Sequence, residues 1–89
     1  MSTSLIQLDQ IAIGQVHIVR RLSDHADHAD RVQALEEIGF IPGEQVMLMA
    51  RGIPGGDPLV VRVGLSTFAL RRAEAAAILV TLPVLGDAV

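Results

Sequence analysis

The chain has no cysteine, no lysine, no tryptophan and no tyrosine, and only two phenylalanines among its 89 residues. Without cysteine there can be no disulfide, no thiolate metal site and no cysteine nucleophile. With so few aromatic residues, a stacking platform for single-stranded nucleic acid is excluded, and the core has to be aliphatic. Lysine-free basicity rests on seven arginines, which ten carboxylates outnumber to give a net charge of −3. An acidic domain lacks the electrostatic footprint of a nucleic-acid binder. The longest uninterrupted apolar run is Ala75–Val80, far short of the roughly 20 residues needed to cross a bilayer. The first residues carry no basic stretch before an apolar one, so no secretory signal is read there. These features predict a soluble, cytoplasmic protein of one domain spanning 1–89, with no direct membrane insertion. Half of the residues are apolar, which excludes a disordered chain.

Local signals then divide the chain. Ser4 with Gln7 three positions later matches a capping box and predicts a short helical turn. Gly14 permits a turn, and the alternation around Val16 and Ile18 predicts a strand to about Leu22, with His17 directed away from the core. Asp24, Asp27 and Asp30 suit the positive end of a helix dipole. Ala29, Val32, Leu35 and Ile38 give an apolar stripe, and Gly39 with Pro42 ends the helix, placing it at about 26–38. Short strands follow. One holds Val46, Leu48 and Ala50 facing one way and Met47 and Met49 the other. The next holds Leu59, Val61 and Val63. A third holds Phe68 and Leu70. Pro54-Gly55-Gly56-Asp57-Pro58 is dense turn chemistry between the first two. Arg71–Ala76 reads as one short helical turn, and Ile78, Val80 and Leu82 as a last strand. The expected fold is therefore mainly β: a small barrel of about five short strands with one helix inserted after the first. Closing the barrel would remove exposed edges.

Catalytic patterns are missing. No metalloprotease helix motif and no serine elbow occur, and an enzyme is not expected. Gly55-Gly56-Asp57-Pro58 lacks the Lys and Ser/Thr of a phosphate loop and joins two strands. It reads as a hairpin tip, able to contact a partner as exposed loops on rigid scaffolds do. Arg71 and Arg72 read as surface ion-pair residues, with one free to reach outward. His25 and His28 are three apart, so a helix would place them on one face with Asp24 and Asp27 close by. Imidazole and carboxylate together suit a divalent transition metal such as zinc or iron(II). The set is incomplete for a tetrahedral site, so water or a second molecule would have to complete it. Read structurally, the same residues are a solvated acidic helix start, and no cofactor is required. The apolar tail Leu82–Val89 and the Met47, Met49 and Val60 surface leave room for a homodimer.

Four blocks in order resemble the FeoA family of bacterial ferrous iron uptake. They are Leu8–Gly14 followed by Val16-His17-Ile18, then Leu35–Val46 as "L-x-x-[LI]-G-[LF]-x-P-G-x-x-V", then Gly56-Asp57-Pro58-Leu59, then Leu70–Ala75 with Ile78 and Val80. They span about residues 5–82. The resemblance implies an SH3-like barrel. It also implies a cytoplasmic accessory or activator that acts by protein–protein contact with FeoB, the membrane GTPase transporter of iron(II), and is recruited through it to the inner membrane. The same fold forms a C-terminal domain of iron-dependent repressors. With no segment ahead of the domain, the accessory role is the expected one. The chain departs from the family pattern at Asp24–Asp30, which is acidic and holds two histidines. On this reading the partner contacts are Gly55, Gly56, Asp57, Pro58, Arg71 and Arg72. The alternative is a small metal-binding sensor or chaperone using His25, His28, Asp24 and Asp27.

Overall fold

The computed structural model describes residues 4–23 and 29–84. Six antiparallel strands form one sheet: β1 (Ile6–Gln7), β2 (Val16–Leu22), β3 (Gln45–Arg51), β4 (Leu59–Val63), β5 (Ser66–Leu70) and β6 (Ile78–Thr81). Their order is β1-β6-β2-β3-β4-β5. Two helices complete the fold, α1 (Ala29–Glu37) between β2 and β3 and α2 (Arg72–Ala75) between β5 and β6. The mainly β architecture with a helix inserted after the first long strand is as expected, but the sheet does not close. β1 and β5 are its edges, and no ladder joins them.

Inward-facing residues of β2 to β6 build the core, and Ile6 of β1 packs against it. Val19, Val46, Leu48, Leu59, Val61, Leu70, Ile78 and Val80 are all buried. Bulges break two ladders, between Val19 and Arg21 in β2 and between Leu48 and Ala50 in β3. A bulge bends a strand and increases its twist, which curls this sheet toward a barrel. It also shifts the facing. Ala50, expected beside Val46 and Leu48 on the inner face, is exposed.

α1 lies along the open side. It shares one groove with Gln7 of β1 and Leu79 of β6. On its other flank it shares a second groove with Ala69 and Leu70 of β5. Among the described side chains of the apolar stripe, Leu35 is buried, Val32 is half-buried and Ile38 is exposed. The helix ends in a Schellman motif. Phe40 N–H donates to Leu35 C=O at 3.0 Å and Gly39 N–H to Glu36 C=O at 3.1 Å, with Gly39 at φ +122°. That arrangement brings the residue after the glycine against the residue five before it. Here both are core residues, and Phe40 has no exposed surface. Its ring meets that of Phe68 at 6.3 Å between centroids, tilted by 53°.

Three further local expectations change. Ile6 and Gln7 form a strand rather than a helical turn, because they pair with Val80 and Leu79. Only the next three residues, Leu8–Gln10, make a 3-10 turn. His17 is buried, not on the surface. β2 is central in the sheet, and His17 lies opposite the core residue Val46. Its Nδ1 is 3.1 Å from Gln15 C=O. The last strand stops at Thr81, whose hydroxyl accepts from Arg20 Nε at 2.7 Å, and Leu82 is exposed.

The plug at the end of α1 is testable. Phe40→Ala is expected to cost about 3–5 kcal/mol by emptying a fully buried aromatic site. Gly39→Ala is expected to cost about 1–2 kcal/mol through the left-handed backbone alone. Urea unfolding followed by far-UV circular dichroism gives both values.

Candidate docking site

The β3–β4 connection is a tight loop. Gly52 N–H donates to Pro58 C=O at 2.8 Å, and Gly56 N–H donates to Gly52 C=O at 2.9 Å. A Cβ on Gly52 would stand 2.7 Å from Asp57 carbonyl oxygen and 2.8 Å from that of Pro58. Both are backbone atoms that cannot rotate away, so the loop closes only with glycine there. Within it the Ile53-Pro54 and Asp57-Pro58 bonds are cis. Gly55, Asp57 and Pro58 are exposed, Gly56 is half-buried, and Ile53 at the tip is 95% exposed.

The ladder then sets what lies beside this loop. Leu59 pairs with Leu70, so the residues just before β4 and just after β5 are neighbours. Asp57 Oδ1 accepts the backbone N–H of Arg72 at 3.1 Å. Arg71 N–H donates to Glu74 Oε1 at 2.8 Å, and Glu74 N–H returns to Arg71 C=O at 2.9 Å. The two groups of residues singled out in the sequence, the hairpin tip and the Arg71-Arg72 pair, thus form one surface. The carboxylates of Asp57 and Glu74 hold backbone groups of the two arginines. Both arginine side chains stay exposed. An exposed guanidinium presents five N–H donors in a fixed fork and binds carboxylate or phosphate in two-point fashion.

Other candidates fare differently. Asp24, His25, Asp27 and His28 lie outside the described residues. Among the described residues no group of three or more His, Asp or Glu is placed to hold a metal ion. No helix among them is long and apolar enough to cross a membrane. Met49 is exposed and Met47 half-buried, as the alternation in β3 suggests. Asp9 is buried; Oδ2 accepts from Gln10 Nε2 at 3.0 Å, and Oδ1 has no partner among the described residues. Two features of the site were not read from the sequence. Gly52 had a signal, a glycine between the end of a strand and a proline-rich turn. The Asp57–Arg72 bond had none, because it depends on the register of β4 against β5.

Comparison with known proteins gives a consistent answer. The family model for the FeoA domain matches residues 6–82. The zinc-complexed FeoA of Stenotrophomonas maltophilia, described as a prokaryotic SH3 domain protein and a candidate ferrous iron transport activating factor, is 38% identical. The match covers 84% of this chain and 88% of that one, with a TM-score of 0.75. Iron(II) transport protein A of Clostridium thermocellum is 29% identical over 86% of this chain and 45% of its own, with a TM-score of 0.72. A manganese-dependent transcriptional repressor shares the fold, with a TM-score of 0.79 at 23% identity over 93% of this chain and 44% of that one. No curated protein sequence matches. The four motif blocks, the open SH3-like sheet and a family match across nearly the whole length agree, and the chain belongs to the FeoA domain family.

Proposed function

We propose that the chain is a cytoplasmic accessory protein of ferrous iron uptake that activates a FeoB-type transporter by direct contact. The observation that carries this reading is the family match over residues 6–82, strengthened by a 38% identical relative described as a candidate activating factor for ferrous iron transport. The docking surface we assign is the hairpin tip Gly55–Pro58 together with Arg71 and Arg72. Its support is geometric. Exposed polar groups sit on backbone that the sheet register and two carboxylate bonds hold in place. A surface already ordered before binding loses less conformational entropy on association.

The deciding measurement is a calorimetric titration of the purified protein against the cytoplasmic GTPase domain of its cognate transporter, with and without iron(II) or zinc. Metal-independent binding is the expected outcome. Binding only with metal would overturn this reading in favour of the His25, His28, Asp24 and Asp27 alternative, and His25→Ala with His28→Ala would then abolish it.

The surface itself makes two predictions. Arg71→Glu with Arg72→Glu is expected to weaken binding by about tenfold or more, the scale for reversing contact charges at an interface, and to leave the circular dichroism spectrum unchanged. Gly52→Ala is expected to cost about 1–3 kcal/mol of stability, as overpacking against rigid atoms does, and to weaken binding by displacing the tip. Urea midpoints and the same titration separate the two effects.

A further inference from the structure

The two edges of the sheet are protected unequally. β1 is two residues long and offers little backbone to a stranger. β5 is five residues, Ser-Thr-Phe-Ala-Leu, with no charge and no proline, and it pairs with β4 without a bulge. Charges, prolines, bulges and shortness are the usual means of blunting an edge, and β5 has none of them. The Gly64-Leu65 turn makes Val63 and Ser66 the closing hydrogen-bonded pair. Hydrogen-bonded and non-bonded pairs alternate along an antiparallel ladder. The N–H and C=O of Ser66, Phe68 and Leu70 therefore point at β4, and those of Thr67 and Ala69 point out of the sheet. Among the described residues no backbone hydrogen bond reaches those outward groups. Two donors and two acceptors at strand spacing recognise one thing, another extended strand.

The surroundings define what kind of strand. Beyond the edge lies a groove of about 350 Å³, lined by Ala34 and Leu35 of α1, by Ile38 just past its end, and by Ala69 and Leu70 of β5. It is apolar along these residues, so alternate side chains of an added strand could enter it. Its frame is basic. Arg31 lines the groove, Arg62 pairs with Thr67 in the β4–β5 register, and Arg71 and Arg72 follow the end of β5. All four are exposed. The nearby carboxylates of Glu74, which also lines the groove, and of Asp57 each accept a backbone N–H from this corner. Arg31, Arg71 and Arg72, three of the seven arginines of a chain with net charge −3, thus border this edge, and Arg62 stands one strand behind it. A second copy pairing β5 with β5 would set arginine against arginine, and like charges across a contact are disfavoured. An acidic strand would meet opposite charge instead.

We propose that the β5 edge is a strand-addition site for an extended acidic segment of a partner protein, one that alternates apolar and carboxylate side chains. The site borders the docking corner but recognises its ligand through Thr67 and Ala69, and it stands independently of whether the partner is the transporter.

The test uses the full ¹⁵N-labelled chain and two capped peptides, Glu-Val-Glu-Val-Glu-Val-Glu and its Lys-for-Glu analogue. The acidic peptide is expected to shift the Thr67 and Ala69 amide resonances and to slow their hydrogen exchange. The lysine peptide is expected to bind at least about tenfold more weakly. Arg62→Glu should narrow that preference while Arg31, Arg71 and Arg72 maintain its sign, and a merely structural role for Arg62 would weaken both peptides equally. The proposal is overturned if neither amide is protected at millimolar peptide, or if both peptides bind equally. It is also overturned if protection rises with protein concentration alone, which would assign the edge to a second copy.

Discussion

A curled sheet that stops short of closing leaves its interior open along one side, and the rest of this structure depends on how that side is filled. The helix placed there is short and contributes few buried side chains. Its decisive contribution comes at its end, where Gly39 adopts a left-handed backbone and the chain doubles back. The Schellman hydrogen bonds then fix Phe40 against Leu35, so a local backbone motif delivers the largest fully buried side chain of the core. With almost no aromatic residues available, the Phe40–Phe68 contact joins this plug to the edge strand β5. The helix, the core and the free edge are thus parts of one mechanical unit. In a chain of this size, where total stability is about 5–13 kcal/mol, one such aromatic site is a large share of the whole.

What the sequence makes legible is the chemistry that acts locally. Gly39 and Pro42 mark the end of α1 because a positive φ and a missing N–H are properties of single residues. Leu59, Val61 and Val63 face one way because alternation is a property of an extended chain. The Arg71–Ala76 turn is legible for the same reason, since Glu74 reaches back only three residues. The failures share a different cause. Ser4 and Gln7 satisfy a capping pattern, yet Ile6 and Gln7 become a strand because β6 offers them partners about seventy positions away. His17 reads as exposed beside two apolar neighbours, and is buried because β2 lies in the middle of the sheet. The bulge that turns Ala50 outward has no residue that announces it. Short strands at close spacing suggest a closed barrel, but closure is decided by the edge strands, and one of these is only two residues long.

The docking corner shows how tertiary register can assemble a surface from two unremarkable segments. A proline-rich loop and a pair of arginines each read as turn chemistry and a solvated surface. Once Leu59 faces Leu70, the loop and the arginines must be adjacent, and Asp57 finds the first free N–H of α2. Both carboxylates at this corner bind backbone rather than guanidinium. The hydrogen-bonding capacity of the arginines is therefore left for something outside the chain, and the backbone beneath them is fixed at little cost.

Net charge alone would point away from any anionic partner, but it is a sum over the chain and does not describe the arginines near β5. Glu36 and Glu37 sit exposed at the end of α1, and Asp24, Asp27 and Asp30 cluster just before or within its first turn in sequence. Arg62 lies on β4, Arg71 and Arg72 directly follow β5, and Arg31 lines the groove beside it. At physiological ionic strength the Debye length is about 8 Å, so an approaching group is governed by the charges within a side chain or two of it rather than by the total. A net negative charge opposes nonspecific attraction to nucleic acid at long range. A basic strand edge in the same chain can still select a carboxylate-bearing segment, and the two requirements do not conflict.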